Sequence, residues 1–308
     1  MALLMIGMLG CAAMRTNGAS VGRSRRCALQ SVVPISATVF LGPKSSLAAE
    51  ASAPEEYKAL LRQFEDPAPR QQSGNFMDAM SAGFSRVDNL CFPPWMEGTW
   101  IVRSVPLANA APLGRRYLPA DLARMRLGDL RELRAEPLTY GVRFYRRGDG
   151  KIVSDRAGNL RSVQNAAAGY NRVETVAFDG VGKISVVYSP FGRNGTYPGP
   201  SRAEIYINWR RQSPPLQQAP GFAFAEATRS VFLAQQRELS TISDAETLCE
   251  FTRTSDNTIS GRQRVLRYLT PNPNSIEGAL WSEANGRAVA TLDYALELTR
   301  APALPQLQ

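Results

Sequence analysis

Histidine is absent from all 308 residues. That absence removes Ser-His-Asp and Cys-His nucleophile activation and every histidine-containing zinc site. Cysteine is scarce. Of four, Cys11 and Cys27 fall in a region with the character of a leader, which leaves Cys91 and Cys249 for the folded chain and no C-x-x-C spacing. Two cysteines permit one Cys91–Cys249 disulfide in an oxidising compartment, or two buried thiols, and no cysteine-rich metal cluster. No apolar run reaches the roughly 18 residues of a spanning helix, so the mature chain is expected to lack a transmembrane segment. Gly-rich phosphate loops, nucleophile elbows and metal-ligand spacings are missing too, and no cofactor is implied. Carboxylates are absent from residues 1–49, which hold five basic residues, while 31 basic and 27 acidic residues follow from Glu50 onward. The net charge of +9 is therefore largely the leader's, and no Lys/Arg cluster interleaved with aromatics makes a nucleic-acid surface.

What is present begins with targeting signals. A short apolar stretch from Ala2 to Ala13 is followed by an acid-free Ser/Gly/Arg run through Arg26. Ser24-Arg25-Arg26 then precedes a modestly apolar stretch from Ala28 to Leu41, with small-residue cleavage sites at Ser46-Leu47-Ala48-Ala49 and Ala51-Ser52-Ala53. The twin arginine resembles the export signal that carries proteins into a thylakoid lumen or periplasm, although Cys27-Ala28-Leu29 departs from the bulkier apolar pair usual there. The order of segments resembles the compound presequence of an alga whose plastid is reached through the secretory pathway. A mitochondrial presequence is the alternative.

The remaining chain reads as mainly β. Tyr57, Leu60, Leu61 and Phe64 recur at helical spacing, and a second short helix is expected over Asn75–Phe84. From Gly98 the pattern changes to alternating apolar and polar residues between turn signals. Predicted strands cover Trp100–Val105, Tyr140–Arg146, Arg172–Phe178, Lys183–Tyr188, Arg202–Arg210, Phe222–Phe232, Leu248–Thr254, Gln263–Leu269 and a pair flanking Asn285-Gly286. Ala203, Ile205, Ile207 and Trp209 share one face of their strand. Gly148-Asp149-Gly150 and Asp179-Gly180-Val181-Gly182 read as hairpin turns, as does Asn285-Gly286. One inserted helix is predicted over Leu118–Leu133. Sequential short strands favour a closed antiparallel barrel, because closure removes exposed edges. The expected layout is a leader (1–53), a helical extension (54–97), the barrel (98–300) and a tail (301–308).

Gly98-Thr99-Trp100 resembles the Gly-x-Trp signature of lipocalin-like barrels, whose tryptophan plugs the closed end beneath a basic residue of the last strand, the place Arg300 occupies here. A longer pattern runs Phe92-Pro93-Pro94-Trp95-Met96-Glu97-Gly98-Thr99-Trp100, Pro112-Leu113-Gly114, Arg143-Phe144, Asp155-Arg156 with Asn159, Tyr268-Leu269 with Pro271, and Tyr294 to Arg300. It resembles, over roughly residues 76–300, a cyanobacterial and plastid family catalogued only as a domain of unknown function, whose plant and algal members are directed to the thylakoid lumen. The resemblance implies a location and a lipocalin-like fold and carries no activity.

The candidate ligand-binding residues are Trp100, Arg143, Asp155, Arg156 and Asn159. A carboxylate, a guanidinium and an amide this close can hold a polar head group, or can knot a barrel end together with hydrogen bonds. Arg143 lies opposite Val142 and Phe144 and points either to solvent or inward, where Asp155 or Glu174 would have to pair it. Trp95, Trp100, Trp209 and Trp281 either line a pigment or lipid pocket or fill the core. Three readings follow: a non-catalytic lumenal barrel that binds a small apolar ligand or docks on a photosynthetic membrane complex, a lumenal enzyme acting on a lipid or pigment through carboxylates, and a ligand-free assembly factor.

Overall fold

The computed structural model describes residues 54–67, 69, 89–130, 136–180, 182–215, 221–234, 239–271 and 276–302. The leader, the helix expected over Asn75–Phe84 and the end of the tail lie outside these residues. Helix α1 spans Glu55–Glu65, α2 Arg156–Ala168 and α3 Ile276–Ala284. The strands are β1 (Gly98–Ala110), β2 (Gly128–Asp129), β3 (Leu138–Arg146), β4 (Ile152–Ser154), β5 (Val173–Phe178), β6 (Lys183–Tyr188), β7 (Ser201–Gln212), β8 (Gly221–Ala234), β9 (Leu239–Arg253), β10 (Thr258–Tyr268) and β11 (Ala290–Arg300). They form one antiparallel sheet in the order β4-β3-β1-β11-β10-β9-β8-β7-β6-β5, with β2 beside β1, curled into a half-barrel.

The first and last strands meet as expected, Trp100 facing Arg300 across the β1–β11 ladder. The free edges are β4 and β5, and α2, which joins them in sequence, occupies the seam. Ser162 Oγ accepts from Gly141 N of β3 at 3.0 Å, and Asn165 Oδ1 accepts from Val173 N of β5 at 2.9 Å. Leu160 packs with Ile184, Val186 and Ile205, while three residues later Val163 packs with Trp100, Val142 and Phe144. The helix thus joins the cores of both halves of the sheet.

Cross-strand partners share a face, and the inward set sorts along the barrel axis. At the β1 start, Phe92, Trp95, Met96, Trp100, Phe144, Phe222, Phe224 and Phe251 form an apolar floor, with Phe92 4.7 Å from the Phe144 ring and 5.5 Å from the Phe222 ring. The outer face of β8–β10 carries α1, whose Tyr57, Leu60 and Phe64 cover Ala223, Ala225, Leu248 and Leu266. The spacing that predicted this helix is the spacing that buries it.

Three expectations need correction. Leu118–Leu133 is not a helix among its described residues. Turns and the two-residue β2 lay this segment across the open end, where Leu122 is fully buried and Met125 packs on Ala245, Val265 and Leu292. Asn285-Gly286 ends α3 instead of turning a hairpin: both residues have positive φ (49° and 71°), a requirement that a helix C-terminus shares with a type I′ turn. A β-bulge between Ile207 and Trp209 reverses the alternation of β7, so Trp209 pairs with outward Ala227 and lies against the α1 side while Arg210 turns inward.

The Gly-x-Trp element has a physical explanation. Trp100 is 0% exposed, donates from Nε1 to Met96 O at 2.8 Å and lies under the Arg300 guanidinium, 4.4 Å from its ring centre. Arg300 is held in turn by Glu97 O at 3.0 Å and Asp256 O at 3.2 Å. Gly98 has φ +127°, and a Cβ there would come 2.5 Å from Arg300 Nη1. The glycine therefore makes room for the cation over the indole. Trp100→Ala is expected to cost about 3–5 kcal/mol, the usual range for a buried large aromatic. Arg300→Ala is expected to cost on the order of 1 kcal/mol, since its cation–π contact is partly exposed. Chemical denaturation of both variants checks this; equal small losses would show that Trp100 does not seal the floor.

Candidate functional site: the barrel interior

Above the floor the inward wall turns polar. Glu226 follows Phe222 and Phe224 on the inner face of β8 and is 0% exposed. A carboxylate there needs cations, and two reach it. Arg156, the first residue of α2, donates from Nη1 to Oε1 at 3.1 Å and from Nη2 to Oε2 at 2.7 Å. Arg210, its register partner on β7, donates from Nε to Oε2 at 2.8 Å and from Nη1 to Asn89 Oδ1 at 3.2 Å. Burial opposes ionisation of Glu226, but the two guanidiniums more than offset it and hold the carboxyl at about 2.

The sequence-predicted residues divide. Asp155 caps α2 by accepting from Gly158 N at 3.0 Å, and a Cβ on Gly158 would come 2.6 Å from its Oδ2. Asn159, buried, accepts from Arg143 N at 2.7 Å and donates to Arg143 O at 3.1 Å and Ser154 Oγ at 2.9 Å. Asp155 and Asn159 therefore form a hydrogen-bonded knot between α2, β3 and β4. Arg143 joins it only through its backbone. Its side chain points to solvent beside the Tyr145 ring, and neither Asp155 nor Glu174 pairs with it. Arg156 alone enters the interior. Trp100 lies in the floor with Trp95, whereas Trp209 sits on the α1 side and Trp281 on α3, so the four tryptophans line no common pocket. Cys91 and Cys249 stand as free thiols, the second of the two arrangements that their number permits. Cys249 faces inward between Phe224 and Gln263, and burial pushes its thiol well above the ordinary range.

Sequence reasoning missed a set of inward polar groups without partners. The Ser104 and Tyr140 hydroxyls are buried beside one another, both amide atoms of Gln263 are unpaired, and burial raises the Tyr140 phenol. Higher on β10, Arg267 donates from Nη2 to Asp121 Oδ2 at 3.0 Å and leaves Nε and Nη1 unpaired. Ser230 Oγ on β8 is a further unpaired group. Asp121 and Arg267 border a cavity of about 50 Å³ at the covered end, with Thr241, Ser243 and Thr270. That is room for ordered water or one small polar group. Among the described residues no three Cys, Asp or Glu side chains gather as a metal site, and no helix is long and apolar enough to cross a membrane.

A family described as a domain of unknown function, DUF6816, matches residues 85–302, more than two thirds of the chain. The chain belongs to this family. No curated protein and no solved structure matches it. The matched span of the DUF6816 domain includes the floor, the seam helix and the Arg156–Glu226–Arg210 triad.

Two predictions follow from the interior of the DUF6816 domain. Because the Glu226 carboxyl is held at about 2, below the ordinary value of about 4.3, its stabilisation is complete above the ordinary value and fades as pH falls through the lowered one. Glu226→Gln is expected to lose about 3–5 kcal/mol at pH 7 by leaving two buried cations uncompensated, and to show a shallower loss of stability toward pH 2 than wild type. Denaturant midpoints over pH 2–7 check both. In the native protein, iodoacetamide is expected to modify Cys91 and to reach Cys249 only on unfolding, as its burial requires. Peptide mapping that finds the two joined without reductant would restore the disulfide.

Proposed function

We propose that this DUF6816 domain is a non-catalytic binding barrel for a small amphipathic molecule of the lipid or pigment class. The observation that carries the reading is the set of unpaired buried groups on the inner wall, rising from both amide atoms of Gln263 to Ser230 and Arg267. Each buried polar atom without a partner costs on the order of 1–3 kcal/mol, and native interiors rarely leave several together. An apolar floor below hydrogen-bonding groups suits a molecule with an apolar body and a polar end. Proton-transfer chemistry fits less well, because Glu226 is fixed as a carboxylate between two guanidiniums and stays ionised near neutral pH.

The location we propose is the thylakoid lumen, supported by the acid-free leader with its twin arginine and by the resemblance to lumen-directed proteins. Near the acidic end of the physiological range the triad would remain charged and the seam shut.

Titration of the protein with dansyl-undecanoic acid is expected to give saturable fluorescence enhancement. Gln263→Leu is expected to weaken it at least about fivefold, the equivalent of one lost hydrogen bond of about 1 kcal/mol, and the exposed substitution Arg143→Gln to leave it unchanged. The absence of saturable binding, or equal affinity in wild type and Gln263→Leu, would overturn the reading.

A further inference from the structure

The connection between β6 and β7 runs from Ser189 to Pro200 and displays two aromatic rings to solvent. Phe191 and Tyr197 are each 55% exposed and pack edge to face at 5.4 Å. Val187, 41% exposed, stands just before them on the outer face, so half of the six exposed large hydrophobic residues among the described ones fall within residues 187–197. The loop has a built geometry. Gly192 N donates to Thr196 O at 2.7 Å, Gly195 N to Gly192 O at 3.1 Å and Ser189 N to Arg172 O at 2.8 Å, and Pro190, Pro198 and Pro200 restrict the rest. Among the described residues, nothing covers the outward sides of the rings.

The surrounding charge is positive. Residues 184–203 contain no carboxylate. Arg193 lies over the C-terminal Gly169 of α2, Arg202 faces Val187 across the β6–β7 ladder, and Arg172 stacks on Tyr188 4.7 Å from its ring centre. Asp179 and Glu204 bracket this stretch in sequence, and Glu204 is already engaged by Lys183 at 3.0 Å and by Ser185 Oγ at 2.6 Å. Two half-exposed rings offer roughly 200 Å² of contact, given 150–250 Å² for a whole aromatic side chain. A stable protein partner needs about 800 Å² on each side. A projecting pair of rings flanked by guanidiniums instead matches a bilayer interface, where aromatic rings settle among headgroups and arginines meet anionic lipid.

The strand directions add a consequence. β6 runs parallel to β1 and β10, so its end lies at the same end of the half-barrel as Ala110, Tyr268 and the Asp121–Arg267 cavity, opposite the Trp100 floor. We infer that the Phe191–Tyr197 loop is a membrane-docking tip that sets the polar end of the barrel against an anionic bilayer surface. The inference deepens the amphipathic-ligand reading by naming the place where such a ligand is exchanged, and docking is measured without any ligand, so one can fail while the other stands.

Hydrogen exchange of the full chain, followed by peptide, tests it with vesicles of phosphatidylcholine alone and of phosphatidylcholine with phosphatidylglycerol. The expected result is slowed exchange over 189–200 with the anionic vesicles, weakened by added salt. That protection, and co-sedimentation in excess of any due to the N-terminal region, is expected to fall at least tenfold in the Phe191→Ser/Tyr197→Ser variant, whose thermal transition should match wild type. Phe191→Trp, which keeps an interfacial aromatic, should retain protection. Protection confined to residues outside 189–200, equal protection in wild type and the double serine variant, or protection only by a detergent-solubilised membrane-protein fraction would each overturn the proposal.

Discussion

A curled antiparallel sheet that does not join its own edges leaves two rows of backbone donors and acceptors facing each other across a gap too wide for a ladder. Here the gap lies between β4 and β5, and everything inside the half-barrel depends on how it is filled. Helix α2 fills it with hydrogen bonds to β3 and β5 and with apolar contacts into both halves of the core. The helix is anchored by charge as well. Arg156 projects from its first turn into the interior and ends on Glu226 of β8, three ladders away from β5 by way of β6 and β7. Removing Arg156 would leave Glu226 with half of its compensation, and removing Glu226 would leave two buried guanidiniums, so the triad ties the integrity of the seam to the burial of its charges.

That arrangement also grades the interior. Near Trp100 the rings of Phe92, Phe144, Phe222, Phe224 and Phe251 pack against one another, and the Arg300 cation closes the outside of the same floor. Higher up the inward positions hold Gln263, Glu226, Thr228, Ser230 and Arg267, where an ordinary barrel core would hold aliphatic side chains. Polar groups at these positions stabilise the fold less than an apolar filling would, because a buried polar atom without a partner keeps its desolvation cost. The segment through Asp121, Leu122 and Met125 covers this end and limits the exchange of the interior with solvent.

Most strands were legible because their two faces differ: inward Val102, Tyr140 and Leu298 alternate with exposed Arg103, Thr139 and Thr299. The seam helix was not. Its buried residues include Arg156, Asn159 and Gln164, so the apolar period that marked α1 is missing from α2, and only Asp155 at its start and Gly169 at its end announced it. The false helix over Leu118–Leu133 had the opposite character. Leu118, Leu122 and Met125 are spaced like a helix face, yet they are used singly as a cover, and Gly128 at φ +105° takes the chain into a short strand instead. Of the site, the cluster Asp155-Arg156-Asn159 was visible from proximity in sequence, but its division into a knot and an ion pair depended on Glu226, seventy residues away. A single carboxylate on the inward parity of Phe222 and Phe224 was the available clue, because a charge in that position must recruit partners from elsewhere.

The two ends of the half-barrel therefore differ in kind, and the difference follows from where each solves its burial problem. At the floor, closure comes from aromatic packing, from a glycine that admits an arginine and from main-chain acceptors that hold that arginine in place. At the other end, closure comes from an irregular segment held by the Arg267–Asp121 contact, by buried Leu122 and Met125 and by the short β2 ladder, at the same end as a loop that leaves its own rings in solvent. Loosening the floor requires the loss of a packed aromatic core, whereas loosening the covered end requires parting Arg267 from Asp121 and lifting Leu122 and Met125 off the wall. On the binding reading proposed above, this end and not the floor is therefore where a ligand would enter, because a polar ligand group can replace Asp121 as the acceptor for Arg267.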